Sequence, residues 1–162
     1  MPESPSFYLY LTGREFLEFV ADLFGLKTKD STEKINYLLR SVELYDSADR
    51  HIRTYSKGML QRLGLAQSLI NDPEILFLDE PLDGLDPIGR AEIKKIILSL
   101  KKDNKTIFFN SHILSDVAEL CDMVGIIDQG ELLALDTPGN ISRGHRDLEE
   151  AFVSLITKKR TT

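Results

Sequence analysis

Apolar residues in the first third of the chain recur at the spacing of one helical face. Phe16, Leu17, Phe19, Val20, Leu23 and Phe24 follow Thr12-Gly13-Arg14-Glu15, a capping-box sequence. In such a box the Thr12 hydroxyl accepts an early helical N–H while Glu15 reaches back, so a helix is expected from Gly13 to a stop at Gly25. A second helix is expected over residues 32–43, capped by Ser31, with Ile35, Leu38, Leu39 and Val42 on one side. A third starts at Ser56 and carries Met59, Leu60, Leu63, Ala66, Leu69 and Ile70. It ends before Asn71-Asp72-Pro73, because proline cannot continue the hydrogen-bond ladder.

After Pro73 the period changes. Ile75-Leu76-Phe77-Leu78 is a short, continuous apolar run of the kind found in strands buried on both faces, and it ends in Asp79, Glu80 and Pro81. Residues 88–100, with Ile93, Ile96, Ile97 and Leu100 turned inward, predict a helix, and Thr106-Ile107-Phe108-Phe109 a second buried strand. A helix over 113–121 and a third strand over 123–127 extend the alternation, which predicts a parallel sheet with right-handed crossovers. Gln129-Gly130 predicts a tight turn into residues 131–135, a terminal hairpin. Leu148, Ala151, Phe152, Leu155 and Ile156 mark a last amphipathic helix, trailed by Lys158, Lys159 and Arg160. There is no internal repeat and no low-complexity segment.

Length and charge narrow the function classes. A chain of 162 residues can bury a core of its own. With Lys+Arg 20 against Asp+Glu 26, the net charge of -6 argues against a general attraction to nucleic acid, which needs a basic face. Cys121 is the single cysteine, so an internal disulfide and a cysteine metal cluster are both excluded, and a reduced, cytosolic setting fits best. On the apolar side of its helix, it reads as a core residue. The start of the chain has no basic segment before an apolar run, and no stretch of about 18 apolar residues occurs, so neither a signal peptide nor a membrane span is expected.

The sharpest chemical feature is the run from Ile75 to Pro81, in which an apolar strand delivers two adjacent carboxylates to the C-terminal edge of a parallel sheet. Ligands bind at that edge in α/β folds. Asp79 is suited to hold Mg²⁺ through water, since that ion uses few carboxylates and keeps much of its hydration. Glu80 is suited to orient or deprotonate an attacking water, a division of labour that fits phosphoryl transfer. Taken singly, such features have plainer readings: acids end many strands as turn residues, Ser56 is a good helix cap, residues 84–87 make a turn, and a histidine at a strand end is commonly structural.

Their order is what gives specificity. Tyr55-Ser56-Lys57-Gly58-Met59, then the acidic strand end, then Leu82-Asp83-Gly84-Leu85-Asp86-Pro87, then Asn110-Ser111-His112 resembles the ATPase subunits of ABC transporters, matching in turn their signature motif, Walker B strand, D-loop and switch histidine. The resemblance covers essentially the whole chain from Pro2. It implies an α/β fold, an incomplete P-loop NTPase (RecA-like) parallel-sheet core with an α-helical ABC subdomain. It implies a helical subdomain with the end of the Q-loop over residues 1–72, the distal half of the ATPase core over 73–135 and a C-terminal helix and tail over 136–162. ATP and Mg²⁺ are the implied cofactors. Ser56, Lys57, Gly58 and Met59 are the implied nucleotide-binding signature residues, of which Ser56 and Gly58 would meet the γ-phosphate of a nucleotide held by an opposite subunit, where a hydroxyl, backbone N–H groups and a helix N-terminus suit an anion.

By the same resemblance Asp86 would lie at the subunit interface, His112 would contact the γ-phosphate and help position water and Glu80, and Glu3 would touch metal and water as the end of the Q-loop. Lys57 and Met59 depart from the commonest signature, which has glycine and glutamine there, and the form present is similar to that of exporter-type relatives. The implied partners are a second ABC ATPase subunit, identical or different, and a transmembrane permease, with the chain peripheral on the cytosolic face of the cell membrane; no nucleic acid is implied.

No GxxxxGKS/T sequence occurs, so neither a loop that wraps the β-phosphate nor its lysine is present in these residues. The expectation is an energy-coupling ATPase subunit present as a truncated piece, inactive alone and leaving part of its sheet uncovered. A non-hydrolysing module that donates Ser56 and Gly58 to an intact partner's site, and a nonfunctional remnant, are the other readings of the same residues.

Overall fold

The structure, a computed structural model, describes residues 1–26 and 28–161. They form two compact units, residues 1–110 and 111–162, each with its own contacts. The side chain of Arg160, expected in the basic tail, lies outside the described part.

The first unit begins with α1 (Gly13–Leu23), whose capping box is complete: Thr12 Oγ1 accepts the Glu15 N–H at 3.2 Å, and Glu15 Oε2 accepts the Thr12 N–H at 2.8 Å. Such a cap stabilises a helix start by about 1 kcal/mol. Phe16, Leu17, Val20 and Ala21 are buried, and α1 packs on α2 (Thr28–Ser41) and α3 (Lys57–Ser68). Ser31 does not cap the second helix. The chain is already helical from Thr28, so Ser31 is an interior, buried position, while Ile35, Leu38, Leu39 and Val42 are buried as the spacing predicts. Two short 3-10 turns, Tyr45–Ser47 and Ile52–Thr54, lead to α3. Each fully buried leucine or isoleucine in this helical core contributes about 1.5–3 kcal/mol of apolar transfer free energy.

From Ile75 the chain forms β1 (Ile75–Asp79), α4 (Pro87–Lys102) and β2 (Thr106–Asn110), and the two strands pair in parallel with Ile75 opposite Thr106 and Asp79 opposite Asn110. Leu76 and Leu78 are buried, as are Ile93, Ile96 and Ile97 of α4. The other face of the strand pair corrects the expectation of burial on both sides: Ile75 is 53% exposed, Phe77 65% and Phe108 64%. An apolar run is compatible with two covered faces, but only one face of this pair is covered.

The second unit contains α5 (Leu114–Leu120), β3 (Val124–Asp128), β4 (Glu131–Asp136), the short α6 (Pro138–Ile141) and α7 (Leu148–Thr161). Val117, Leu120, Val124, Ile126, Leu148 and Ala151 are buried. The expected hairpin is present, with Gln129 and Gly130 both at positive φ in its turn. The third strand is not paired in the parallel sheet; β3 pairs antiparallel with β4 across the tight turn, in a two-stranded sheet of its own. Cys121 ends α5 and is only half-buried, not core.

Candidate functional site

Parallel pairing in register sets residues of β1 and β2 side by side on common faces. Asp79 and Asn110 are register partners at the C-terminal ends of the strands, following the Phe77 and Phe108 pair, whose rings lie 5.7 Å apart. Asn110 uses both ends of its amide: Nδ2 donates to Asp79 Oδ1 at 2.9 Å, and Oδ1 accepts the Glu80 N–H at 3.3 Å. Glu80 sits at φ 42, a left-handed conformation that disfavours residues other than glycine. Asn110 therefore ties an exposed carboxylate and a strained backbone to one side chain. On the opposite edge of β1, the Asp79 N–H donates to the Met1 carbonyl at 2.9 Å.

A second group forms around the start of α3. Ser56 is an exposed N-cap, its Oγ accepting the Met59 N–H at 3.3 Å. Lys57 reaches over Gly84 to within 3.6 Å of Asp83 Oδ2. A Cβ built on Gly58 would lie 3.9 Å from Gly89 Cα and 4.0 Å from Leu85 Cδ2, so the start of α3 runs close to the loop before α4. Asp86 caps α4, with its Oδ1 accepting the Gly89 N–H at 2.7 Å, and Pro87 holds the first helical position, where no N–H is needed.

Glu3 enters through its backbone. Its carbonyl accepts from Gln61 Nε2 at 2.8 Å, and Gln61 is only 2% exposed, with Oε1 buried and without a hydrogen-bond partner among the described residues. The 1–5 segment follows α3, since a Cβ on Gly64 would lie 2.9 Å from Met1 Sδ and 3.1 Å from Pro5 Cγ. His112 is exposed in the second unit, one residue after Ser111, whose Oγ accepts the Ile113 N–H at 3.1 Å. The structure thus brings Asp79 and Glu80 to Asn110, and Ser56, Lys57 and Gly58 to Asp83, Gly84 and Asp86, while His112 belongs to the other unit.

Two positioning side chains, Asn110 and Gln61, escaped role assignment from sequence. Equal-length strands of the same type are the one signal that could have paired Asn110 with Asp79. Among the described residues no group of three His, Cys, Asp or Glu side chains could hold a metal ion, and the strand ends present one exposed carboxylate, Asp79, held by the Asn110 amide; a lone carboxylate would fit Mg²⁺, which keeps much of its hydration.

The ABC transporter family profile matches residues 3–83. An uncharacterized ABC transporter ATP-binding protein of Nostoc sp. is 55% identical over 82% of this chain and 40% of its own length. A fluoroquinolones export ATP-binding protein of Mycobacterium tuberculosis is 47% identical over 84% of this chain and 44% of its own. The chain therefore spans about two-fifths of the length of these curated relatives. A solved structure of an ATP binding subunit of an ABC transporter superposes with a TM-score of 0.80 at 30% identity, covering 96% of this chain and 66% of that one.

Proposed function

The chain belongs to the ABC transporter family of ATP-binding proteins, and from that membership we propose that it works as part of the energy-coupling ATPase subunit of an exporter-type transporter. The observation that carries this reading is the cluster of Asp79, Asn110 and Glu80 at the C-terminal end of two parallel strands.

In this reading Asp79 holds Mg²⁺ through water, and the ion, when bound, neutralises charge on the phosphates. Glu80 orients or deprotonates the attacking water, and Asn110 fixes the backbone from which it projects. His112 donates a hydrogen bond to the γ-phosphate and steadies the water. Ser56 and Gly58 face the γ-phosphate of a nucleotide held by a second ABC subunit, identical or different, and Lys57 and Met59 belong to the same nucleotide-binding signature segment. Asp86 couples the two subunits at their interface, and Glu3 approaches metal and water. The relative named for fluoroquinolone export supports the exporter assignment. Among the described residues no helix is long and apolar enough to cross a membrane. The exposed Tyr8, Tyr10, Phe19, Leu23 and Phe24 offer an apolar surface for docking on a permease at the cytosolic face of the membrane.

These residues contain no GxxxxGKS/T sequence, so we assign turnover to an assembly that supplies such a loop and not to the 162 residues alone. A second reading, that the chain only donates its signature segment to an intact partner, is favoured by the exposure of Ser56. The test is ATP hydrolysis by the purified chain, alone and mixed with an intact exporter ATPase subunit. No turnover is expected alone. Mixing is expected to change the intact subunit's turnover, with Ser56→Ala abolishing that change; Glu80→Gln reduces it under the first reading and leaves it intact under the second. Hydrolysis by the chain alone, or a mixture indistinguishable from the intact subunit, defeats the proposal.

A further inference from the structure

Lys57 is the first residue of α3, and a cation there opposes the positive end of the helix dipole. An acidic side chain stands beside it. The Nζ of Lys57 lies 3.6 Å from Asp83 Oδ2, with the lysine half-exposed and the aspartate more covered. Between them lies Gly84 at φ 61, over which the lysine stem passes: a Cβ built there would be 3.2 Å from Lys57 Cε, 3.6 Å from Cδ, and would collide with Nζ itself. Three consecutive atoms of one side chain thus cover a position with no side chain of its own. The contact joins the start of α3, with Ser56, to the loop ending in Asp86.

We infer that Lys57 is a positioning residue, a strut across Gly84 that fixes the 83–86 loop against the start of α3. It sets Asp86 relative to Ser56, and this bears on ATP use only through the function proposed above. Its two components are separable: the ammonium holds Asp83, and the stem fills the space above Gly84. Gly84 has two reasons to be glycine, its positive φ and the lysine overhead.

The experiment is site-resolved amide hydrogen exchange of the full chain, comparing the parent with Lys57→Met, Gly84→Ala, Lys57→Gly and the Lys57→Gly/Gly84→Ala double variant. Lys57→Met keeps the stem and removes the charge. It is expected to speed exchange at residues 83–86 roughly twofold to fivefold, the range an exposed ion pair supports. Added salt should speed the parent's exchange in that loop and leave the Met variant's unchanged. Gly84→Ala should perturb the loop more in the parent than in the Lys57→Gly background, where no stem stands over the new methyl group. Unchanged exchange at 83–86 in Lys57→Met, or equal effects of Gly84→Ala in both backgrounds, overturns the strut. In mixtures with the intact subunit, Lys57→Met is expected to reduce kcat with KM unchanged. A parent chain that leaves the intact subunit unaffected refutes the proposed function, and the exchange results decide the strut regardless.

Discussion

Replacing Asn110 tests whether the acidic strand end is organised by its neighbour. Asn110 makes two hydrogen bonds, one to the Asp79 carboxylate at 2.9 Å and one from the Glu80 N–H at 3.3 Å. Net contributions run about 0.5–1.5 kcal/mol per neutral bond and more for one to a charged group. Solvent exposure and the long second bond place both at the low end, so Asn110→Ala is expected to destabilise by ~1–2 kcal/mol. Asn110→Thr separates the bridge from strand preference, because threonine favours a strand and still cannot span both partners. The Thr variant should remain less stable than the parent.

Asn110→Asp adds a sign. It keeps an acceptor for the Glu80 N–H but sets a second carboxylate beside Asp79, and like charges disfavour the ionised pair. Its deficit relative to the parent should be largest at neutral pH and shrink as the pH falls into the carboxylate range, where one group takes up a proton. Urea unfolding followed by circular dichroism gives the energies, and hydrogen exchange of the Glu80 amide reports the local opening. A Thr variant as stable as the parent, together with an Asp variant whose deficit does not depend on pH, would refute the bridge.

Lys105 and Asp72 pair at 2.7 Å, and the Asp72 carboxyl is held below its ordinary value of 3.8, first by the hydrogen bond from Lys105 and then by the charges of Lys34 and Lys105. A lowered carboxyl stabilises the fold above its unfolded value and loses that contribution as the pH falls through its folded one. Lys105→Met should therefore be less stable at pH 7 by at most ~1 kcal/mol, since Asp72 is well exposed, with the difference fading below the ordinary carboxyl value and in high salt; a constant difference across an acid titration would contradict the assignment. Gly13 is buried against Tyr55, whose hydroxyl donates to the Ser47 carbonyl at 2.7 Å, and a Cβ at Gly13 would collide with that hydroxyl oxygen. Gly13→Ala should destabilise by ~1–3 kcal/mol through overpacking, although alanine favours helices. Thermal unfolding should reveal a smaller effect in a Tyr55→Phe background, and an equal effect in both would reject the steric cause.

Features written in local chemistry were legible from the chain. The capping box at Thr12 and Glu15, the N-cap at Ser56 and the acids closing β1 each depend on residues a few positions apart. The contacts that organise the site are different in kind. Asn110 meets Asp79 because two strands align in register, and Lys57 lies over Gly84 because α3 runs beside the loop before α4. No local pattern contains either distance, so both residues could be noticed as motif members but not given their partners. Ser31 failed for the reverse reason: a good capping residue has no say when helix has already formed upstream of it.

The two strands of the first unit show why an apolar run is an incomplete instruction. Ile75, Phe77 and Phe108 are as hydrophobic as Leu76 and Leu78, yet strand alternation turns them to the opposite face, which stays exposed. Hydrophobicity records that a residue gains by leaving water, whereas burial also needs an element standing over it. The same alternation carries Asp79 and Asn110 onto the face of Ile75, Phe77 and Phe108, because all five share one parity along two strands in register. The carboxylate with its amide partner thus ends an apolar exposed surface.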